Sequence, residues 1–264
     1  MKKAVIIIAR NEKDWPAKTA DSFRAAMPYA EIIGVDDGGE NQWPDYVKVV
    51  KTTGAIGVGN CRRAGAENTD ADLVVFTDGH VFYESGDIEK AWQLASQGYI
   101  VNPSTMSMAT RIIHGCGRKH MLPSHKCNYV KAKEGTLVSM IGSVYFMKRE
   151  IALEIVAPTP SHGYNEQIMS CAAFSLGYKT YAYPDLVFSH LFKQKFDNYR
   201  VTYSGQQRNR LLCDFWFFET RKPNNISPAE KEYYKMIKQN RKLSASQLQS
   251  KIVMMNRKLN ENGN

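Results

Sequence analysis

The sequence predicts an α/β fold, with a mixed, mainly parallel sheet flanked by helices and a helical appendage at the C-terminus. Short β-prone apolar runs alternate with helical patterns along most of the chain, and glycine and proline residues separate them. The strongest run, residues 73–76, is continuously apolar, which is typical of a parallel strand covered on both faces. Because ligands bind beyond the carboxyl ends of such strands, we expect a functional site where this run ends.

The run at residues 73–76 leads into Asp78, Gly79 and His80. In an extended chain, residues two apart project to the same side, so Asp78 and His80 could bind one metal ion. A plain Asp-Gly turn followed by a structural histidine is the alternative interpretation.

The composition is that of a globular protein. The 264 residues are 43% hydrophobic, which is ample for a core. No apolar run reaches the length of about 18 residues that a membrane span requires, and the N-terminal run is too short for a signal peptide. We therefore expect no stable membrane insertion and a cytoplasmic location. The five scattered cysteines form no CxxC pair, which argues against a structural zinc site or a disulfide framework.

The first half of the chain alternates between predicted strands and helices. The strands are 4–8, 31–35, 47–50, 73–76 and 99–101, and the helices are 14–26, 60–68 and 87–97. Polar residues follow the first two strands at their carboxyl ends: Ala9, Arg10, Asn11 and Glu12 after the first, and Asp36 and Asp37 after the second. Asp36 and Asp37 have two possible interpretations: a nucleotide site or an ordinary Asp-Gly turn.

A glycine-rich segment, residues 54–60, precedes the helix that Arg62 and Arg63 open. Its spacing is not that of a P-loop. An arginine at a helix start can clamp a pyrophosphate, and we expect one of these two to do so while the other is solvated.

The second half is less regular. Residues 102–135 read as a basic insertion without regular structure, suited to a mobile substrate-binding loop. Residues 136–147, with Gly142 and Ser143, read as a strand pair or strand-turn on the acceptor side. A helix over 167–176 follows Asn165 and Glu166, and strands 179–183 and 186–190 end in a second histidine, His190.

The C-terminal residues predict two basic helices. Ser227, Pro228 and Glu230 form a good helix start, and a second helix begins near Ser244. This tail carries eight Lys and Arg residues against three Glu, which accounts for five of the nine net positive charges of the chain. We therefore divide the chain at 1–222 and 223–264. The tail is either a solvated helix pair or a basic arm that contacts a polyanion.

Taken together, these motifs resemble a nucleotide-sugar glycosyltransferase of the GT-A, Rossmann-like fold. Residues 4–12 are similar to the first strand and "PxxNE" loop of that family, and residues 35–38 to its uridine-binding turn. Asp78-Gly79-His80 resembles the metal-binding DxD motif in the DxH form of polypeptide N-acetylgalactosaminyltransferases. Residues 163–166 resemble "GxED", residues 177–179 "GYK", residues 188–193 "GHVFRK", and residues 209–211 the start of "NxxRLAEVW".

The resemblance implies a role for each motif. Asp78, His80 and His190 would bind Mn²⁺ or Mg²⁺, and mixed oxygen and nitrogen ligation favours Mn²⁺. A UDP-sugar donor would contact the residues Ala9, Arg10, Asn11, Glu12, Asp36, Asp37, Arg62, Asp78 and Gly79. The acceptor would contact the residues Gly142, Ser143, Asn165 and Glu166. Glu166 stands where inverting relatives have a catalytic base, whereas DxH relatives retain the anomeric configuration, so the stereochemistry stays open.

The resemblance also implies an enzyme that transfers a hexose or pentose from a UDP-sugar to an acceptor hydroxyl. The basic charge favours a hydroxymethylated pyrimidine base in DNA, as in viruses that modify their genomes. Alternatives are a polysaccharide, a lipid-linked sugar or a protein hydroxyl as acceptor, or a non-catalytic nucleic-acid-binding protein on a transferase scaffold. A nucleotidyltransferase would usually carry a glycine-rich loop after its first strand, which residues 9–12 are not.

Overall fold

A computed structural model describes residues 1–192, 203–220 and 223–261 of the chain. Its strands are β1 Lys3–Ala9, β2 Glu31–Asp36, β3 Lys48–Lys51, β4 Leu73–Asp78, β5 Val81–Ser85, β6 Tyr99–Ser107, β7 Ile113–Gly115, β8 Gly117–Met121, β9 Lys126–Val130, β10 Val144–Lys148 and β11 Lys179–His190. Its helices are α1 Trp15–Ala26, α2 Val58–Glu67, α3 Ile88–Ser96, α4 Arg149–Ile155, α5 Asn165–Leu176, α6 Tyr203–Phe218, α7 Pro228–Asn240 and α8 Ala245–Glu261.

The main sheet of the described residues has the order β3-β2-β1-β4-β10-β6-β11-β5, with β7 paired to β6. The first four strands are parallel to one another, and β10 is antiparallel to both β4 and β6. Ala9 of β1 is level with Asp36 of β2, and Ile8 of β1 with Asp78 of β4. The polar residues at the ends of β1, β2 and β4 therefore meet at one edge of the sheet, as predicted.

The core lies on both faces of this sheet. Residues Ile6 and Ile8 of β1 face one apolar cluster, and Val5 and Ile7 face the other, which is the two-residue alternation of a strand. Helices α2, α4 and α5 cover the first face, and α1 and α3 cover the second. Both faces are buried, and this explains why the parallel strands are continuously apolar. The α/β prediction is confirmed.

The prediction of a loop region over residues 102–135 is wrong. Strand β6 continues to Ser107, β7 pairs with it, and β8 and β9 form a hairpin. These strands lack the apolar pattern of a buried strand, because several of their polar side chains are buried and form hydrogen bonds there. The Asn102 side chain accepts from the Ile141 amide at 3.2 Å, and the Thr105 hydroxyl bonds the Ser143 hydroxyl at 2.6 Å.

Three further predictions of strands are corrected. Within residues 136–147 the named strand begins only at Val144, and the unpredicted helix α4 follows it. The two strands expected over 179–190 are one strand, β11, whose register with β6 shifts between Tyr183 and Val187. The chain turns at Gly79 and His80 instead of remaining extended, and returns as the edge strand β5.

The C-terminal helices pack against the main body. The predicted start of α7 is confirmed, since Ser227 and Glu230 form a reciprocal capping box. The buried apolar residues of α7 and α8 belong to the same cluster as those of α4 and α5: Tyr233, Ile237, Leu248, Ile252, Met255 and Leu259. The division at residue 222 stays a prediction, because residues 221–222 lie outside the described part.

Two histidines from the region 102–135, His120 and His125, form a buried series of hydrogen bonds that reaches helix α6. His120 Nε2 lies 2.8 Å from His125 Nδ1, and His125 Nε2 lies 2.7 Å from Asp214 Oδ1. Burial lowers the pKa of His120 to about 4. Burial opposes protonation of His125 too, but its contacts with Cys213 and Asp214 shift its pKa upward overall. These two histidines therefore tie the hairpin to α6, whereas His114 is exposed.

Helix α2 reaches the sheet edge closely packed against residues 157–159. A Cβ on Gly59 would lie 2.1 Å from the Thr159 hydroxyl and 2.4 Å from the Ala157 carbonyl oxygen. We predict that Gly59→Ala destabilises the protein by about 1–3 kcal/mol through overpacking, although alanine favours a free helix by about 1 kcal/mol. Urea unfolding of this variant checks the sign. A stabilised Gly59→Ala protein would contradict the close packing.

Candidate active site

A cleft of about 730 Å³ opens at the edge where β1, β2 and β4 end. Of the site residues predicted from the sequence, ten line it: Ala9, Arg10, Glu12, Asp37, Arg62, Asp78, His80, Gly142, Glu166 and His190. Five do not: Asn11, Asp36, Gly79, Ser143 and Asn165. The cleft thus collects these residues from seven separated segments of the chain.

Asp78, His80 and His190 form the one group in the described part of the chain with the spacing of a metal site. One potential ligand atom from each lies within 4.8 Å of the others. Asp78 ends β4, and His80 follows in the turn with Gly79 between them. His190 ends β11 beside Val81. His190 Nε2 lies 3.6 Å from Asp78 Oδ2. The sequence motifs are 110 residues apart, and the pairing of β5 with β11 brings them together.

The chemistry of these three side chains fits a divalent cation. Burial acts to raise the pKa of Asp78, but hydrogen bonding from His190 and electrostatic interactions with His80 and Arg62 lower it to about 2. Asp78 is therefore an anionic oxygen ligand at neutral pH, beside two imidazoles. One carboxylate and two imidazole nitrogens suit Mn²⁺ better than Mg²⁺, which prefers oxygen ligands.

The two adjacent aspartates after β2 have different environments. Asp37 lines the cleft, and its Oδ1 accepts from the amide of Ile56 at 2.6 Å, at the glycine-rich segment before α2. Asp36 Oδ1 instead accepts from the Gly39 amide at 3.1 Å and the Asn41 side chain at 2.7 Å. Asp36 thus holds the turn, while Asp37 lines the cleft.

The residues of the polar loop after β1 also differ in whether they face the cleft. Arg10 and Glu12 line the cleft. Asn11 turns away with a positive φ of 54°, and its side-chain oxygen accepts from the Glu40 amide at 3.3 Å. Glu12 Oε2 lies 2.7 Å from His80 Nδ1. This loop therefore contacts the candidate metal site formed by Asp78, His80 and His190 and also lines the rest of the cleft at this sheet edge.

Arg62 and Arg63, indistinguishable in the sequence, are separated by the structure. Arg62 is buried, and its guanidinium lies 2.8 Å from Glu166 Oε1 and over the Tyr145 ring. Arg63 points away from the cleft, where it contacts Glu67 and the Leu153 carbonyl. Of the two, only Arg62 lines the cleft, and its contact with a pyrophosphate stays a prediction.

Glu166 lies between two guanidinium groups. Besides Arg62, Arg118 of the hairpin approaches it, with Nη1 3.9 Å from Glu166 Oε2. Gly142 permits this approach, since a Cβ there would lie 3.0 Å from Arg118 Nη2. Glu166 is on the first turn of α5, where the helix dipole also favours an anion. The carboxylate is therefore held in a fixed orientation within the cleft.

The other two residues expected at the acceptor serve the framework. The Ser143 hydroxyl bonds Thr105 within the sheet. The Asn165 side chain accepts from the Thr159 hydroxyl and donates to the Ser161 carbonyl at 3.2 Å. Asn165 thus fixes the loop before α5, which places Tyr164 in the left-handed region with a φ of 60°.

Sequence reasoning missed several residues of the cleft wall: Ile8, Val58, Arg118, Tyr129, His162, Gly163, Tyr164, Gln167, Phe192 and Gln206. Tyr129 and Phe192 form an aromatic wall with ring centroids 6.1 Å apart, and Phe192 also contacts the His190 ring. Only Tyr129 had a local signal, because residues 126–129 (Lys, Cys, Asn, Tyr) alternate between polar and apolar side chains, whereas residues 117–121 (Gly, Arg, Lys, His, Met) do not. Lys193 of the "GHVFRK"-like segment lies outside the described residues.

Residues 4–126 of the chain match Glycosyl transferase family 2. The match spans β1 to the start of β9 and includes Asp78 and His80 of the candidate metal site. It agrees with the enzyme class predicted from the sequence. No curated protein matches the chain by sequence.

Solved structures of low sequence identity share the fold. GalNAc-T7, solved with UDP, GalNAc and Mn²⁺, is 16% identical with a TM-score of 0.76, covering 96% of this chain. This chain spans only 57% of the length of GalNAc-T7. Staphylococcus aureus TarS with UDP-GlcNAc is 12% identical with a TM-score of 0.56, over 99% of this chain and 91% of TarS.

A third similar structure is the mannosyltransferase PcManGT from Pyrobaculum calidifontis, with GDP-Man and Mn²⁺. It is 14% identical, with a TM-score of 0.52, over 100% of this chain and 76% of its own. These similarities show that the fold is GT-A. In the described part of the chain, no helix combines the length and the apolar character needed to cross a bilayer.

Proposed function

We propose that this protein is a metal-dependent glycosyltransferase that moves a sugar from a UDP-sugar to an acceptor hydroxyl. The observation that carries the proposal is the meeting of three kinds of group in one cleft: a carboxylate with two imidazoles, a buried arginine, and an aspartate at the glycine-rich segment. The nucleotide-sugar and Mn²⁺ named with the GalNAc-T7 and PcManGT structures support the same donor chemistry.

Each part of the cleft has a role in this proposal. Asp78, His80 and His190 would hold Mn²⁺, which supplies Lewis-acid stabilisation to the departing diphosphate. Arg62 lies beside this group and adds a fixed positive charge. Asp37 would accept hydrogen bonds from the uracil or ribose, and Arg10 would contact the nucleotide at the same end.

Glu166 has two roles compatible with its position. As a catalytic base it would accept the proton of the acceptor hydroxyl, and the product would be inverted. As an ion-paired anchor between Arg62 and Arg118 it would position the acceptor in a retaining reaction. NMR of the anomeric proton of the product distinguishes the two.

We propose a hydroxymethylated pyrimidine in DNA as the acceptor. Support comes from the net charge of +9 and from the exposed lysines and arginines of α7 and α8, which can contact phosphates. The aromatic wall of Tyr129 and Phe192 offers a surface on which a flipped base could stack. A polysaccharide, a lipid-linked sugar or a protein hydroxyl is the alternative, since sugar rings and apolar chains also pack on aromatic side chains.

The test is a mass-spectrometric assay of nucleosides. The protein, Mn²⁺ and a panel of UDP-sugars are incubated with DNA that contains 5-hydroxymethylcytosine or 5-hydroxymethyluracil, and with unmodified DNA as control. A mass gain of one sugar on the hydroxymethylated base alone supports the full proposal. UDP release without a gain on DNA keeps the transferase and rejects the DNA acceptor. DNA binding without Mn²⁺ binding or UDP release would favour a non-catalytic nucleic-acid-binding protein.

A further inference from the structure

Glu12 lies closest to the metal-binding group without belonging to it. Its Oε2 atom is 2.7 Å from His80 Nδ1, and the two side chains are only 7% and 9% exposed. Hydrogen bonds between such buried polar groups are strong, because no water competes for them. The contact joins the loop after β1 to the turn after β4, at the level where both strands end.

This hydrogen bond has a direction. A carboxylate oxygen accepts, so His80 Nδ1 carries the hydrogen. In the neutral imidazole the lone pair is then on Nε2. Metal-binding histidines commonly donate their other ring N–H to a carboxylate, which fixes the tautomer and the orientation of the ring.

The residue between the two ligands makes room for this contact. A Cβ on Gly79 would lie 2.9 Å from Glu12 Oε2 and 2.9 Å from the Ala9 Cβ. The turn therefore admits only glycine if Glu12 is to stay against His80. In addition, the Glu12 amide donates to Asn41 Oδ1 at 2.8 Å, which fixes the backbone from which the carboxylate extends.

We infer that Glu12 is a positioning residue for the metal site: it holds His80 as the Nδ1–H tautomer and presents Nε2 to the cation. This role differs from the donor contact expected of Glu12 by resemblance. It rests on the metal-dependent function proposed above, because the benefit of a fixed His80 is a higher affinity for the divalent cation.

The first test measures the His80 tautomer in the metal-free protein. Proton–nitrogen correlation spectra of ¹⁵N-histidine-labelled protein report which ring nitrogen carries the hydrogen, and His80→Ala assigns the signal. We expect Nδ1–H in the wild type and in Glu12→Gln, whose amide oxygen still accepts, and a mixture or Nε2–H in Glu12→Ala. A His80 signal that is the same in wild type and Glu12→Ala would overturn the inference.

The second test measures Mn²⁺ affinity by the electron paramagnetic resonance signal of free Mn²⁺. Loss of such an outer partner weakens metal binding by about 10–100-fold, and this is the expectation for Glu12→Ala. Glu12→Gln should stay near the wild type, and Glu232→Ala on α7 serves as a control for removal of an exposed glutamate. Equal losses in Glu12→Gln and Glu12→Ala would overturn the inference, since they would make the charge of Glu12, not its hydrogen bond, the cause.

The two proposals fail in different ways. If the wild type binds Mn²⁺ and the Glu12 variants behave as expected, but no sugar is transferred, only the proposed reaction is rejected. If sugar is transferred but Glu12→Ala binds Mn²⁺ as the wild type does, only the role of Glu12 is rejected. A wild type without affinity for Mn²⁺ rejects both. Thermal unfolding of each variant, followed by circular dichroism, separates these outcomes from misfolding, and Glu12→Gln provides the fold-preserving comparison.

Discussion

Asp78→Asn is expected to abolish Mn²⁺-dependent sugar transfer, with kcat/KM reduced by at least about 10³-fold. A metal ion supplies several kcal/mol of transition-state stabilisation, and each 1.36 kcal/mol corresponds to a factor of ten in rate. Asp78 is the one carboxylate of the metal-binding group in the described residues, and asparagine keeps its shape while removing the charge. Steady-state UDP release across a Mn²⁺ titration measures the effect.

The same substitution should lower the stability of the metal-free protein. The pKa of Asp78 is lowered to about 2 from 3.8, so its carboxylate stabilises the fold fully above the unfolded value and loses this contribution as the pH falls towards 2. That shift corresponds to about 2 kcal/mol at neutral pH. Asp72→Asn, just before the start of the same strand, is the matched control. An Asp78→Asn enzyme that still responds to Mn²⁺ would refute the metal site.

Arg62→Met is expected to cost about 3 kcal/mol of folding stability, because removal of one partner of a buried ion pair leaves the Glu166 carboxylate with only the more distant Arg118 guanidinium, 3.9 Å away. The Arg62 side chain is 3% exposed and that of Glu166 is 13% exposed. Arg63→Met is a close control on the same helix, since Arg63 pairs with Glu67 at the surface and such pairs contribute at most about 1 kcal/mol. Urea unfolding of the two variants measures the difference.

A double-mutant cycle identifies the cause. If the cost comes from the isolated Glu166 carboxylate, Arg62→Met combined with Glu166→Gln should be more stable than Arg62→Met alone. Additive losses would show instead that Arg62 acts through its packing on Tyr145. For transfer, loss of one fixed positive donor near the departing diphosphate should reduce kcat by about 10²–10³-fold.

The sequence was sufficient to predict the sheet edge and to propose Asp78, His80 and His190 as candidate metal ligands, whose binding of a cation stays a prediction. Strands β1, β2 and β4 are continuously apolar and parallel, so the polar residues after them had to meet, and His190 was added through the resemblance.

Other features could not be predicted, because they depend on partners far along the chain. The hairpin β8–β9 carries polar residues whose burial is offset by contacts with α6 and α8: His125 bonds Asp214, and the His120 carbonyl accepts from Asn256. Local hydrophobic patterns contain no information on such bonds. The pairing of Glu166 with Arg62, 104 positions apart, is of the same kind.

The irregularity in β11 divides this strand into two halves that pair with β6 in different registers. Tyr183 pairs with Pro103 of β6, yet Val187 pairs with Ser104, so residues 184–186 are extra on β11. An odd number of extra residues inverts the in-out alternation of everything that follows. Removing one residue from 184–186 would therefore have one of two results: a shorter bulge with His190 still paired to Ser107 and Val81, or a shift of the second half by one position, which turns His190 to the opposite side of the sheet. The orientation of His190 is thus set by the pairing of the second half of β11 with β6 and β5, independently of the half that pairs with Tyr99 and Ile100.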